Sequence, residues 1–173
     1  MTVSGPLEIL DPRVRAAIES LGVSCDVLPC DPEFADTAAF CARYGIPPSE
    51  SANTIVVASK KEPKKYAACL VLATTKLDVN RKVAELLEVK KLSFASGEET
   101  VALTGQMVGG VTLFGLPSGW PIYVDSRVAA LASVVVGGGN RSSKLRLAPA
   151  MLLSLPGAVL VEGLAVERGA GVS

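Results

Sequence analysis

The sequence predicts a single α/β domain built on a mixed, strongly curved sheet with helices packed around it. Three observations carry this expectation: short β-rich runs recur from residue 54 to residue 161, few helical patterns lie between them, and the two kinds of segment do not alternate as a doubly wound sheet requires. With 173 residues, 49% of them apolar and 20% charged, the chain is long enough to bury roughly 70% of its unfolded surface in one core. Disordered and collagen-like classes are excluded by the same figures. The expected organisation is one domain over 1–173, with a helical part at 1–50, a sheet-rich core at 51–164 and a flexible tail at 165–173.

The elements follow in order. Asp11-Pro12, then apolar Val14, Ala17, Ile18 and Leu21, then Gly22, supplies a cap, a proline at the first helical position and a glycine stop, which predicts a helix. Asp26-Val27-Leu28 is strand-like. Asp31-Pro32 repeats the helix-opening signal before Phe34 to Tyr44, with Gly45 ending the run. After Pro47-Pro48 the texture turns β-rich: Thr54 to Ala58 and Ala67 to Ala73 predict a hairpin whose tip is Lys60-Lys61-Glu62-Pro63-Lys64-Lys65. Asp78 is placed to cap a helix over Val79 to Leu87, whose Val79, Val83, Leu86 and Leu87 recur at helical spacing. A short strand is expected near Leu92-Ser93-Phe94, and Ser96 with Glu99 forms a capping box for a short helix stopped by Gly105. Val111-Thr112, Ile122 to Asp125, Ser133 to Val136, Lys144 to Leu147 and Ala158 to Val161 are strand-like, with a helix opened by Pro149 before the last.

Composition removes several chemistries. There is no histidine, which excludes Ser-His and Cys-His nucleophile pairs and every zinc site that uses imidazole. Cys25, Cys30, Cys41 and Cys69 contain no C-x-x-C pair and read as core thiols. No metal, flavin or nicotinamide site is indicated. No apolar stretch reaches the roughly 18 residues of a membrane span, and the first residues lack a basic, then apolar leader, so a cytoplasmic protein is expected. The 17 basic and 17 acidic side chains cancel overall but not locally. Residues 1–50 carry eight acids and three bases, whereas residues 51–91 carry nine bases and four acids. Overall neutrality argues against strong non-specific nucleic-acid binding, although a local basic face is able to dock a few phosphates. The lysines between 60 and 65 alone read as a solvated hairpin tip.

Two glycine clusters are the candidate sites. Gly137-Gly138-Gly139-Asn140-Arg141-Ser142-Ser143-Lys144 follows a buried-looking strand; glycines there let backbone N–H groups approach an anion or a developing oxyanion, with Arg141 or Lys144 adding charge. The cluster matches neither a P-loop nor G-x-G-x-x-G, and a plain turn is an equal reading. Gly105-Gln106-Met107-Val108-Gly109-Gly110-Val111 is similar, either a bulge or a place where a ligand lies against the backbone. Phe114 and Trp120 are candidates to stack on a base, with core packing as the plainer role, and Asp125 reads as a turn cap.

Taken in order, these segments resemble the YbaK/ProX family of aminoacyl-tRNA deacylases, relatives of the editing domain inserted in bacterial prolyl-tRNA synthetases. The resembling run comprises Ala52 to Val57, Lys76 to Ala84, Lys90 to Ala95, Thr104-Gly105, Val108 to Thr112, Ile122 to Asp125, Val136 to Gly139 and Lys144 to Leu147. The resemblance implies a mixed sheet closing toward a barrel, with a cleft for an aminoacyl group and the terminal adenosine of tRNA. It implies trans-editing hydrolysis of a mischarged ester by an ordered water or a substrate hydroxyl, with no cofactor. By position, Gly109, Gly110, Gly138 and Gly139 would supply oxyanion donors, and Asn53, Thr54, Val111, Thr112, Asn140 and Lys144 would contact substrate. The implied partners are the acceptor end of aminoacyl-tRNA and an aminoacyl-tRNA synthetase. Two positions depart from the family pattern: Asn53 stands where a lysine is expected and Lys144 where an aspartate is, an exchange that would carry the cation across the cleft. A binding module without turnover, favoured by Asn53, and a docking protein that uses the acidic first 50 residues are the alternatives.

Overall fold

The computed structural model describes residues 1–168. The chain opens with a two-residue strand, β1 (Val3–Ser4), and reaches helix α1 (Pro12–Leu21), whose Asp11 carboxylate accepts from the Arg13 and Val14 N–H groups at 2.8 and 3.3 Å while Gly22 closes it at φ 66°. Strand β2 (Cys25–Pro29) leads to α2 (Thr37–Tyr44), then β3 (Ala52–Ser59) and β4 (Tyr66–Leu72) form the expected hairpin. After β5 (Thr75–Leu77) come α3 (Ala84–Leu87), β6 (Leu92–Phe94) and α4 (Gly97–Thr104), with Ser96 Oγ accepting from the Glu99 N–H at 3.0 Å. The closing half contains β7 (Ile122–Asp125), α5 (Ser126–Ala129), β8 (Val134–Gly137), β9 (Ser143–Leu147), α6 (Pro149–Leu153), β10 (Ala158–Val161) and β11 (Ala165–Glu167). No helix among the described residues is long and apolar enough to cross a membrane.

The strands make a mixed α/β fold of three sheets, ordered β1-β2-β9-β8, β10-β7-β4-β3-β6 and β11-β5. One apolar core lies between the two larger sheets, where Leu70 and Val124 meet Val136 and Leu145 against Val14 and Ile18 of α1 and Leu152 of α6. The opposite face of the five-stranded sheet carries Val57, Cys69, Val71 and Tyr123, and these are covered by Val79, Val83 and Leu87. Strand β4 is therefore apolar on both faces, which explains its unbroken run from Ala67 to Leu72.

The sheet does not close into a barrel. Among the described residues the two large sheets meet at one isolated parallel bridge, Ser51 to Val135, while β6 pairs with β3 only over Val57–Ser59. Val111-Thr112, expected as a strand, is loop. Its backbone is claimed by the buried Gln106 side chain, whose Oε1 accepts from the Thr112 N–H at 2.8 Å while Nε2 donates to the Phe114 carbonyl at 2.7 Å.

Three further differences have local causes. The helix expected from Phe34 splits into a 3₁₀ turn (Pro32–Phe34) and α2, because Asp36 is extended (φ −65°, ψ 141°). The segment after Asp78 begins as a π turn (Val79–Val83), and the Asp78 carboxylate pairs with Arg81 at 3.0 Å instead of capping. Ala165–Glu167, expected within a tail, pairs antiparallel with β5; residues 169–173 of that expected tail lie outside the described residues.

Leu70, fully buried where both large sheets and α1 meet, is the sensitive core position. Leu70→Ala is expected to cost about 2–5 kcal/mol, read as a lowered midpoint in urea unfolding with the slope unchanged.

Candidate active site

The first strand residues of β3, the start of α2, the 108–111 loop and the end of β8 converge on a cleft of about 550 Å³. Asn53, Thr54, Gly109, Val111 and Lys144 line it, together with Asp36, Thr37, Phe40, Phe94 and Gly137. Apolar walls from Ala52, Val135, Val136 and Phe40 leave a few polar groups to orient whatever enters.

Lys144 is 6% exposed. Its Nζ donates to the Ala35 carbonyl at 2.7 Å and to the Gly109 carbonyl at 2.8 Å, and lies 5.5 Å from the centroid of the Phe40 ring. It forms no ion pair among the described residues. Burial therefore drives its pKa below the ordinary 10.5, and the nearby Arg141 charge acts in the same direction, against Asp36 and the thiols of Cys30 and Cys41. Two carbonyl dipoles and an aromatic face hold the ammonium in place, and an ammonium has three N–H donors, so one remains.

The start of α2 is held by more than Lys144. Thr37 Oγ1 donates to Asn53 Oδ1, and Arg141 joins the Asp36 carboxylate at 3.1 Å and the Pro32 carbonyl at 2.9 Å. Ala35, Asp36 and Thr37 thus each bind a different element of the cleft. The Asn53 side-chain Nδ2 makes no hydrogen bond among the described residues and remains a donor, while Thr54 Oγ1 is buried without a partner.

The glycines divide into two roles. The Gly110 N–H donates to the Met107 carbonyl at 2.9 Å, the Gly139 N–H to the Gly110 carbonyl at 2.6 Å, and the Met107 N–H to the Gly139 carbonyl at 3.0 Å. The first closes a turn within its own loop and the other two knit the two glycine loops together, so the Gly110 and Gly139 amides are occupied. A Cβ on Gly110 would stand 1.9 Å from the Asn140 carbonyl oxygen, and one on Gly137 would stand 2.4 Å from that of Gly110. The Gly109 and Val111 N–H groups make no hydrogen bond among the described residues, and both residues line the cleft. Gly110, Thr112, Gly138, Gly139 and Asn140 do not line it. Thr112 is fully buried with an unpartnered Oγ1, and Asn140 donates from Nδ2 to the Ile9 carbonyl at 2.9 Å.

Other candidates fall away from the cleft. Phe114 is fully buried in the core, and Trp120 stacks on Tyr66 at 5.4 Å. Asp125 Oδ1 accepts from the Arg127 N–H at 3.3 Å, and burial raises its pKa against that bond. The four cysteines are buried and free; burial raises the pKa of Cys25, Cys30 and Cys69, the last to about 12. Sequence reasoning missed Asp36, Thr37 and Phe40 because their contacts with Arg141, Asn53 and Lys144 are distant along the chain and leave no local pattern.

Residues 31–155 match the aminoacyl-tRNA editing domain family. The chain belongs to that family. A protein of Enterococcus faecalis provisionally assigned as the Cys-tRNA(Pro)/Cys-tRNA(Cys) deacylase EbsC is 32% identical over 78 residues, 40% of this chain and 48% of that protein. The chain thus matches about half the length of that curated relative. Among solved structures, the hypothetical protein APE2540 superposes with a TM-score of 0.79 at 27% identity, over 89% of this chain and 99% of that one. A protein provisionally assigned as a trans-editing enzyme for prolyl-tRNA synthetase superposes with a TM-score of 0.75 at 25% identity, over 88% of this chain and 97% of that one. For an editing domain, the loop knitting has a direct consequence: the residues that face its cleft are set by backbone packing between two loops.

Gly110→Ala is expected to cost about 1–3 kcal/mol by overpacking against the Asn140 backbone, which for a domain of this size lowers Tm by roughly 2–4 °C per kcal/mol in a thermal melt. Lys144 supplies a pH test. Its folded pKa lies below its unfolded value, so between the two the unfolded chain holds more protons and stability rises with pH on the approach to 10.5. Urea midpoints measured across that alkaline range should climb in the wild type relative to Lys144→Met, which removes the titrating group.

Proposed function

We propose that the protein is an aminoacyl-tRNA deacylase that edits in trans, hydrolysing the ester between a mischarged amino acid and the terminal ribose of tRNA. The observation that carries this reading is the pair of unoccupied amide donors at Gly109 and Val111, on a loop whose Gly109 carbonyl is held by a buried ammonium. A tetrahedral oxyanion needs donors fixed before it forms, and Lys144 fixes them.

The reaction requires no imidazole. A water adds to the ester carbonyl carbon while the neighbouring ribose hydroxyl orients it and relays its proton; the Gly109 and Val111 N–H groups receive the oxyanion; the carbon–oxygen bond to the ribose then breaks and the departing ribose oxygen takes the proton released by that water, leaving the free amino acid. Asn53, with its carbonyl oxygen held by Thr37, turns its nitrogen to a substrate oxygen, and Thr54 offers a hydroxyl without a competing partner. The remaining Lys144 donor supplies the positive potential that a lysine at position 53 would otherwise bring. Discrimination among amino acids rests on the volume bounded by Phe40, Val111, Val135 and Val136, as in a second sieve. The names of two relatives, a Cys-tRNA(Pro)/Cys-tRNA(Cys) deacylase and a trans-editing enzyme for prolyl-tRNA synthetase, support cysteine-charged tRNA as the first substrate to test and prolyl-tRNA synthetase as the first partner to test.

A panel of mischarged aminoacyl-tRNAs tests the activity. Hydrolysis of at least one above the buffer rate is expected, and Lys144→Ala should lower its kcat by about 10²-fold or more, the scale of losing an oxyanion donor. Binding of tRNA with no turnover across the panel would instead favour a sequestering module, the reading to which Asn53 lends support.

A further inference from the structure

Away from the cleft, the β3–β4 tip and the connection between α3 and β6 enclose a second hollow of about 530 Å³, walled by Lys60, Lys61, Lys65, Lys90 and Lys91 with Glu62 and Glu88. The Lys60 N–H donates to the Lys91 carbonyl at 3.2 Å, and Ser59 pairs with Leu92, so two lysine pairs far apart in sequence are held side by side by the backbone. Like charges fixed together repel, and the arrangement is stabilised when an anion lies between them. Two neighbouring lysines are otherwise engaged: Lys64 pairs with Glu99 at 3.2 Å, and Lys65 donates to the Leu87 carbonyl at 3.1 Å. Lys60, Lys61, Lys90 and Lys91 are exposed and form no ion pair among the described residues.

Two strands connect this hollow with the candidate active site. Strand β3 runs from Asn53 at the cleft to Ser59 at the lysines, about 20 Å at the rise of an extended chain, and β6 runs from beside Lys91 to Phe94 on the cleft wall, about 10 Å. At about 3.4 Å per stacked nucleotide, 10–20 Å is roughly three to six nucleotides. Phe94, 57% exposed, lies on the cleft wall at the end of β6 away from Lys91, an aromatic face of the kind on which an unpaired base stacks.

We propose that the lysine hollow is the docking surface for the phosphate backbone of the tRNA acceptor arm, a few nucleotides from the ester held in the cleft. This rests on the aminoacyl-tRNA reading above for its substrate and adds where the RNA lies. An acidic protein would satisfy the charge equally; the exposed aromatic and the nucleotide-scale spacing to the cleft favour RNA.

The test measures binding of uncharged tRNA, so that it does not depend on turnover. The variant Lys60→Gln/Lys61→Gln/Lys90→Gln/Lys91→Gln should bind more weakly than wild type, and its plot of log affinity against log salt should flatten by about 3, from four lost phosphate contacts at about 0.7–0.9 each. Lys64→Gln, which removes one charge from the same turn but outside the hollow, should stay near the wild-type value, and far-UV circular dichroism should show both variants folded. Each lysine pair replaced alone should give about half the flattening. Wild-type affinity and slope in the folded fourfold variant would overturn the proposal, as would intact tRNA binding with loss of binding to a synthetase. A flattened slope in a protein that deacylates no substrate would leave the docking surface standing and remove the catalytic reading.

Discussion

The cleft depends on one buried ammonium. Lys144 enters from β9, is removed from water, and ends between carbonyls from two segments, Ala35 before α2 and Gly109 in the first glycine loop, which Arg141 also joins at the surface through the Asp36 carboxylate and the Val108 carbonyl, each at 3.1 Å. An ammonium in a low-dielectric setting is costly without partners, so the two carbonyls and the Phe40 ring are conditions for its burial. The dependence runs both ways. With the charge in place, the Gly109 and Ala35 carbonyls share one donor group; without it, both would lose that donor.

The glycines serve the same end by a different route. Gly110, Gly137 and Gly139 lie where a Cβ would collide with neighbouring atoms, two of them against main-chain oxygens and Gly139 against Asp11 and Val14. Their absence of side chain allows the 107–111 and 137–140 loops to hydrogen-bond directly. The close approach occupies some amides and leaves others. A glycine cluster therefore marks where two backbones meet, and the amides of Gly109 and Val111, beside that seam, take no part in its bonding.

Much of the fold was legible because its signals are local. Asp11, Pro12 and Gly22 bracket α1, Ser96 and Glu99 bracket the start of α4, and the apolar run of β4 declares a strand buried on both faces. The misread segments share one property: a distant side chain decides their backbone. Gln106 holds Val111-Thr112 out of a strand, and the partners gathered around Asp36 accompany the delayed start of α2. At the candidate site, Asn53, Thr54 and Lys144 were legible through ordered family-like segments, whereas Thr37 and Phe40 carried no pattern of their own.

By itself the sequence determined the chemistry in stock: no imidazole, two glycine clusters, a lysine at 144 with asparagine at 53, and a basic stretch after an acidic one. It also determined the element types wherever caps and periodicity act within a few residues. Only the tertiary structure decided which amides stay unbonded, that Lys144 faces the same cleft as Asn53, and that Lys60-Lys61 and Lys90-Lys91 form one surface. The physical reason is the range of the forces involved. Backbone preference and capping act between near neighbours along the chain, while burial of a charge, contact between two main chains and the summed field of several lysines exist only once distant segments are packed together.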